Sequence, residues 1–273
     1  DDTPMPMLVP GKGKTAQARL WTYVVDDRAS GATVPALVWY RFTLDRGGIH
    51  PQTELKHFTG LLQADGYAGY EKLYAEGRIQ EVACWAHFRR KIFENHQTSP
   101  TLLTTDLLER IAGLYRLEAE VRGQPPDLRR QHRQKTSRPM IKELRSVIDD
   151  ALRRLSPKSA MAKALAYGRK RWDALTRFLD NGLAEIDNNI AERAMRSVAI
   201  GRKNWLFAGS KVGGERAAAI YSVIETAKLN DVEPQAYITD VIGKIASGWP
   251  ASRWDELMPW NWQPERPHVA MAA

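Results

Sequence analysis

Apolar positions gather early in the chain into short runs separated by polar, turn-forming stretches. Leu20-Trp21-Thr22-Tyr23-Val24-Val25 and Ala36-Leu37-Val38-Trp39-Tyr40-Arg41-Phe42 are rich in aromatic and β-branched residues. Turn-forming stretches bound them at 11–14, from Asp26-Asp27 to Gly31, and at Gly47-Gly48. With Met5 to Val9 they predict an antiparallel three-stranded meander. A helix is expected around 51–58, and Gly60 to Ala64 reads as a short buried strand that Asp65 ends. Tyr70 to Gly77 reads as helix, and Gln80-Glu81-Val82-Ala83-Cys84-Trp85-Ala86 as a further strand. Three strands, helix, strand, helix, strand is the order of an α/β protein with a mixed five-stranded sheet and flanking helices.

From residue 88 to 180 the period changes to that of helices, broken at Ser99-Pro100, Gln124-Pro125-Pro126 and Ser156-Pro157. This stretch reads as an all-helical insertion between the fifth strand and a helix bearing Glu192. Beyond that helix, Gly209-Ser210-Lys211-Val212-Gly213-Gly214 reads as a flexible turn entering an apolar helix from Glu215 to Leu229. A tail with Pro234, Tyr237, Trp249, Trp254, Trp260 and Trp262 reads as one or two short helices held by aromatic anchors. The expected boundaries are a core part at 1–93, a basic helical insertion at 94–182, a second core part at 183–232, and the tail at 233–273.

Composition narrows the class. With 273 residues, 43% of them hydrophobic, the chain can bury a sizeable core. A net charge of +8 and a pI near 9.6 favour a polyanionic partner. Between Arg129 and Arg177 there are fifteen Lys or Arg against four Asp or Glu, so positive charge concentrates in the insertion. Such a stretch is either a set of solvated helix faces or a phosphate-binding surface. The single cysteine, Cys84, excludes an internal disulfide framework and points to a reducing compartment. No signal peptide and no apolar run of membrane-spanning length stand out, so a cytoplasmic protein is expected. The chain opens Asp1-Asp2-Thr3-Pro4 without an initiator methionine, and an N-terminal region of a longer protein is expected to be missing.

Candidate chemistry centres on Glu185-Ile186-Asp187-Asn188-Asn189-Ile190-Ala191-Glu192-Arg193-Ala194-Met195-Arg196. Asp187 or Asn188 is suited to cap a helix. Glu192 and Arg196, four apart, make either an ordinary surface ion pair or part of a site. Asp65, before Gly66, is either a turn former or a carboxylate emerging at the C-terminal edge of its strand. Asp1 and Asp2 point to opposite faces in an extended chain, so only one of them can share a site with Asp65. Cys84 and His87 are three apart at the end of the predicted fifth strand, but a structural zinc site needs four ligands and no second pair exists. His87 is read as a phosphate or carboxylate partner, or as a structural histidine. Serine elbows and reactive-thiol contexts are absent. What remains is carboxylates among abundant positive charge, a set that suits Mg²⁺ and in-line phosphoryl transfer on nucleic acid.

Several blocks together resemble the transposases of the insertion sequence 66 family: Asp1 to Pro4, Leu62-Gln63-Ala64-Asp65-Gly66-Tyr67-Ala68-Gly69-Tyr70, Cys84 to Lys91, Glu185 to Arg196, Gly201 to Phe207, Gly213 to Ala217, Ile224 to Asn230, and Leu257 to Asn261. The resemblance implies an RNase H-like core in which Asp1, Asp65 and Glu192 form a metal-binding catalytic triad, with Asp2 as the alternative to Asp1. It implies Mg²⁺, with Mn²⁺ as a substitute, and His87 near the site. The expected DNA contacts are Arg89, Arg90, Arg193, Arg196, Arg202, Lys203 and Trp205. Implied partners are double-stranded DNA at transposon ends and target, further copies of the chain in the active assembly, and accessory proteins, in a bacterial cytoplasm at the nucleoid. The implied activity is strand cleavage and transfer. The alternatives are a nuclease of the same fold that does not join, and a catalytically silent DNA-binding or assembly module.

Overall fold

The predicted meander forms. Strands β1 (Asp2–Val9), β2 (Lys14–Val25) and β3 (Leu37–Thr43) make an antiparallel sheet in the order β1-β2-β3, with Asp2 opposite Trp21 and Arg19 opposite Thr43. Period-two alternation decides its faces: Val38, Tyr40 and Phe42 of β3 are buried, whereas Leu37, Trp39 and Arg41 are exposed. A computed structural model describes residues 1–263 of the chain, which divide into two compact units. This sheet belongs to one of them, together with residues 194 onward.

Within that unit, helix α10 (Lys211–Leu229) covers the exposed edge of β3, a position where unpaired backbone groups otherwise invite aggregation. The Tyr40 N–H donates to Ser222 Oγ at 2.9 Å, the Val38 N–H donates to Thr226 Oγ1 at 3.2 Å, and Thr226 Oγ1 donates to the Val38 carbonyl at 3.0 Å. The turn expected at Gly213-Gly214 is instead the first turn of α10, because the Ser210 hydroxyl accepts from the Gly213 N–H and starts the helix early. Gly214 is glycine for lack of space, since a Cβ there would lie 2.6 Å from the Phe42 ring. In the tail, helix α11 (Pro234–Ala246) is anchored as expected: Tyr237 Oη donates to the Leu257 carbonyl at 2.7 Å and Trp262 Nε1 to Asp240 Oδ2 at 2.7 Å. Residues 264–273 of the expected tail lie outside the described residues.

The second unit comprises Asp1, residues 27–34 and residues 46–193. After α1 (Ile49–Glu54) come β4 (Gly60–Ala64), α2 (Glu71–Ala75) and β5 (Ile79–Ala83), with β4 and β5 parallel and Ala64 opposite Ala83. The expected five-stranded sheet is therefore corrected: the described strands form one sheet of three and another of two. The outer edge of β1 offers a physical reason. Ala208 occupies it, donating to the Pro6 carbonyl and accepting from the Leu8 N–H, each at 2.8 Å. Pro6 and Pro4, which share that outward register, carry no N–H to continue a ladder.

Helices α3 (Trp85–Thr98), α4 (Leu102–Glu120), α5 (Pro126–His132), α6 (Arg138–Arg154), α7 (Ala160–Lys170) and α8 (Trp172–Thr176) follow; the breaks after α3, α4 and α6 fall where the proline signals placed them, and those after α5 and α7 do not. A π-turn at Arg133–Ser137 joins α5 to α6 just before Pro139, whose ring displaces the carbonyl four residues back. The expected strand to Ala86 ends at Ala83, and Cys84 caps α3 instead. Trp85 and Phe88, three apart, are fully buried on one helical face, and Trp85 Nε1 donates to the Leu175 carbonyl at 2.7 Å. They join Leu107, Ile111, Leu144 and Leu165 in the core of this unit.

Charged groups also enter its interior. Arg133 donates to both Glu118 oxygens, at 2.8 and 2.6 Å, and to the carbonyls of Phe178 and Asn181. Arg129 donates to Glu185 Oε1 at 2.6 Å and to the Gly182 carbonyl at 2.8 Å. This network fixes the segment leading to helix α9 (Asn189–Gly201), on which Glu192 sits. No helix among the described residues is long and apolar enough to cross a membrane.

Candidate metal centre

Glu192 is placed by a local cap. Asp187 accepts from the Asn189 N–H at 3.0 Å and from Asn189 Nδ2 at 2.8 Å, and the N–H groups of Ala191 and Glu192 donate to the Asn188 carbonyl. The carboxylate therefore falls in the first turn of α9. His87 falls in the first turn of α3, held by the bond from the Trp85 N–H to the Ile186 carbonyl at 3.1 Å. One ligand atom each from Asp1, His87 and Glu192 all lie within 4.8 Å of one another.

The electrostatics of this cluster are incomplete. His87 Nε2 stands 3.6 Å from Glu192 Oε1, and Arg90 Nη2 stands 3.4 Å from Glu192 Oε2. Glu192 Oε1 and His87 Nδ1 are buried without a hydrogen-bond partner among the described residues, as are both polar atoms of the Asn188 side chain. An unsatisfied buried polar group costs about 1–3 kcal/mol, so the orphaned Glu192 oxygen fits a further ligand at the cluster. Two carboxylates and an imidazole are a donor set that a divalent cation would satisfy. Burial pushes the His87 pKa down, with the Glu192 carboxylate opposing it, so the neutral imidazole is favoured.

The other expected site residues are distributed as follows. Asp65 directly follows β4, and Ala64 pairs with Ala83, so Asp65 and Cys84 leave the same end of the parallel pair. Its Oδ1 accepts from the Tyr67 N–H at 3.0 Å, and its Oδ2 lies 3.8 Å from Arg46. Asp65 thus forms a turn at the C-terminal end of its strand. It is not one of the three clustered residues, but its charge acts on the His87 imidazole. Asp2 carries a buried carboxylate that accepts from Arg19 at 3.1 Å.

The ion pair considered between Glu192 and Arg196 does not form; Glu192 takes Arg90, and Arg193 and Arg196 are exposed. Arg202 donates to the Pro4 carbonyl and Lys203 is exposed, while Trp205 packs half-buried against the sheet core. Arg89 lies 5.6 Å over the Phe93 ring. The Cys84 thiol is buried and pushed up to about 11, which suits an inert thiol. Sequence reasoning missed Phe93, Tyr115, Arg116 and Asn189, which line a cavity beside Arg90. Phe93, Tyr115 and Arg116 lie in helices without a motif, and only the helical period carried any signal for them.

The mixed α/β chain thus brings two carboxylates and an imidazole together beside Arg90. Comparison gives the family. Residues 1–216 match the family described as Transposase IS66 family, and residues 222–260 match the IS66 C-terminal element. The chain belongs to the IS66 transposase family. It is similar to three proteins of Sinorhizobium fredii (strain NBRC 101917 / NGR234), all described as uncharacterised. Identity to y4qI is 42%, covering 97% of this chain and 50% of that protein. Identity to y4jD is 36%, covering 97% and 53%, and identity to y4hP is 37%, covering 96% and 50%. The chain thus spans about half the length of these relatives. No solved structure matches it.

Proposed function

We propose that this chain carries the catalytic centre of a DNA transposase, which cuts a phosphodiester at a transposon end and joins the freed 3′ hydroxyl to target DNA. The observation that carries this reading is the convergence of Asp1, His87 and Glu192, with an orphaned carboxylate oxygen, in a chain of the IS66 transposase family. Asp1, Asp65 and Glu192 would hold Mg²⁺, or Mn²⁺ in its place. When bound, the cation supplies positive charge to the transferring phosphoryl group and acidity to the attacking hydroxyl.

The chain's own groups do the rest. Arg90 orients the Glu192 carboxylate from one side. Neutral His87 is available to hold a proton released by the nucleophile. Arg89, Arg193, Arg196 and Lys203 supply phosphate contacts that set the DNA in register. Joining two ends in one event calls for two centres, and hence for more than one copy of the chain, working at the nucleoid.

The test uses Mn²⁺ or Mg²⁺, supercoiled plasmid and an oligonucleotide with a free 3′ hydroxyl. Nicked plasmid covalently carrying the oligonucleotide is the expected product, reduced at least about 100-fold by Asp65→Asn or Glu192→Gln. Undiminished joining in either variant would sink the triad. Nicking without joining would favour a nuclease of the same centre, with water as the nucleophile. DNA binding with neither product would favour an assembly module.

A further inference from the structure

Beside Glu192, a cavity of about 590 Å³ is lined by, among others, Arg89, Arg90 and Phe93 of α3, Tyr115 and Arg116 of α4, and Asn189 at the start of α9. The volume lies within the roughly 300–1,000 Å³ typical of small-ligand sites. Arg90 connects this cavity to the metal centre, since its guanidinium also reaches Glu192 at 3.4 Å. Arg90 meets Glu192, and Asp187 acts on Tyr115, but neither Arg89 nor Arg116 has a carboxylate partner among the described residues, so two guanidinium groups of the cavity wall keep their charge. A concave wall of one sign concentrates anions.

The wall also offers ring faces. Phe93 is 37% exposed, and the Arg89 guanidinium lies 5.6 Å from its ring centroid, so a cation and an aromatic ring stand side by side on the wall. Guanidinium groups for a phosphate, with a ring and a guanidinium plane for a base, are the chemistry that holds single-stranded nucleic acid. A base-paired duplex keeps its base faces stacked, so a nucleotide that uses these rings must be unpaired.

We propose that this cavity receives one unpaired nucleotide of the DNA strand beside the reacting phosphodiester, with its phosphate on Arg89 and Arg116 and its base against Phe93. The inference rests on the DNA chemistry proposed above and adds a distinct subsite to it.

The experiment titrates the whole chain with two duplexes, one blunt and one bearing a short 3′ overhang that carries 2-aminopurine, at fixed salt. The overhang duplex should bind about tenfold more tightly, with quenching of the 2-aminopurine. Phe93→Ala should remove both the preference and the quenching while leaving blunt-duplex affinity within about twofold. Phe93→Tyr, which keeps the ring, should retain them. Arg116→Ala should weaken overhang binding several-fold more than blunt binding. Both side chains are solvent-exposed, and unchanged melting temperatures would show that the variants fold. Equal affinity for the two duplexes, or a preference that survives Phe93→Ala, overturns the subsite and leaves the DNA reading intact. So does tight binding of free deoxynucleotide to the same cavity. Failure to bind either duplex overturns both.

Discussion

Two sets of arginines in the unit that carries Glu192 differ in what they touch. Arg129 and Arg133 are 1% and 0% exposed, and Glu118, Glu185 and backbone carbonyls take up their donors. Arg89 and Arg116 border a cavity and form no ion pair among the described residues, and Arg90 pairs with Glu192. The fifteen basic residues between Arg129 and Arg177 read in the sequence as either solvated helix faces or a phosphate-binding surface. Much of that charge is held internally: Arg138 pairs with Asp180, Arg145 and Arg169 with Asp149, Arg153 with Asp150, and Arg171 with Glu81. Density of charge along a chain is thus a poor guide to charge available for a ligand. What counts is whether an acid is folded against it.

The contrast breaks most sharply at Arg133. Arg133→Met leaves Glu118 buried without its bidentate partner, and urea unfolding should show a loss of about 3–5 kcal/mol. Adding Glu118→Leu should recover much of that loss, because an apolar pair of similar volume carries no desolvation penalty. A double variant as unstable as the single one would show that the uncompensated carboxylate is not the cause. Arg171, with a side chain 18% exposed and bound to Glu81, sits between the two extremes. Arg171→Met should cost about 1 kcal/mol after allowance for solvent screening. A loss equal to that of Arg133→Met would mean that burial does not set the scale.

The sequence was legible where one local rule sufficed. Aromatic and β-branched runs between turns gave the three strands of the meander, the proline signals gave three of the helix breaks, and Asp187 beside Asn188 marked the start of α9. It was not legible where tertiary partners decide. The run from Val82 to Ala86 is apolar in either period, and only the burial of Trp85 and Phe88 on one face makes it turn into helix after Ala83. The five-stranded sheet followed from element order, but order does not reveal that Ala208 takes the outer edge of β1. At the site, Glu192 and His87 stood out because each sits in a motif. The partner of Glu192 was misjudged, because helix spacing offers Arg196 while the fold supplies Arg90, 102 positions away in the chain. Arg116 and Phe93 sit in no motif, and the helical period alone could not mark them, since a cavity is a property of several helices and not of any one.

The smallest effect on stability is expected where availability matters most. Arg89→Ala removes a guanidinium that holds no acid and rests on a partly exposed ring, so unfolding free energy should change by no more than about 0.5 kcal/mol. Its effect belongs in the salt dependence of duplex binding: for every phosphate that the protein no longer neutralises, the slope of log K against log salt falls by about one. Arg138 provides the matched control, as an exposed arginine of the basic stretch whose donor is already taken by Asp180. Arg138→Ala should leave the slope unchanged while Arg89→Ala reduces it. If the two variants reduce it equally, an internal ion pair does not withdraw an arginine from DNA, and the basic helices regain their claim as the phosphate surface.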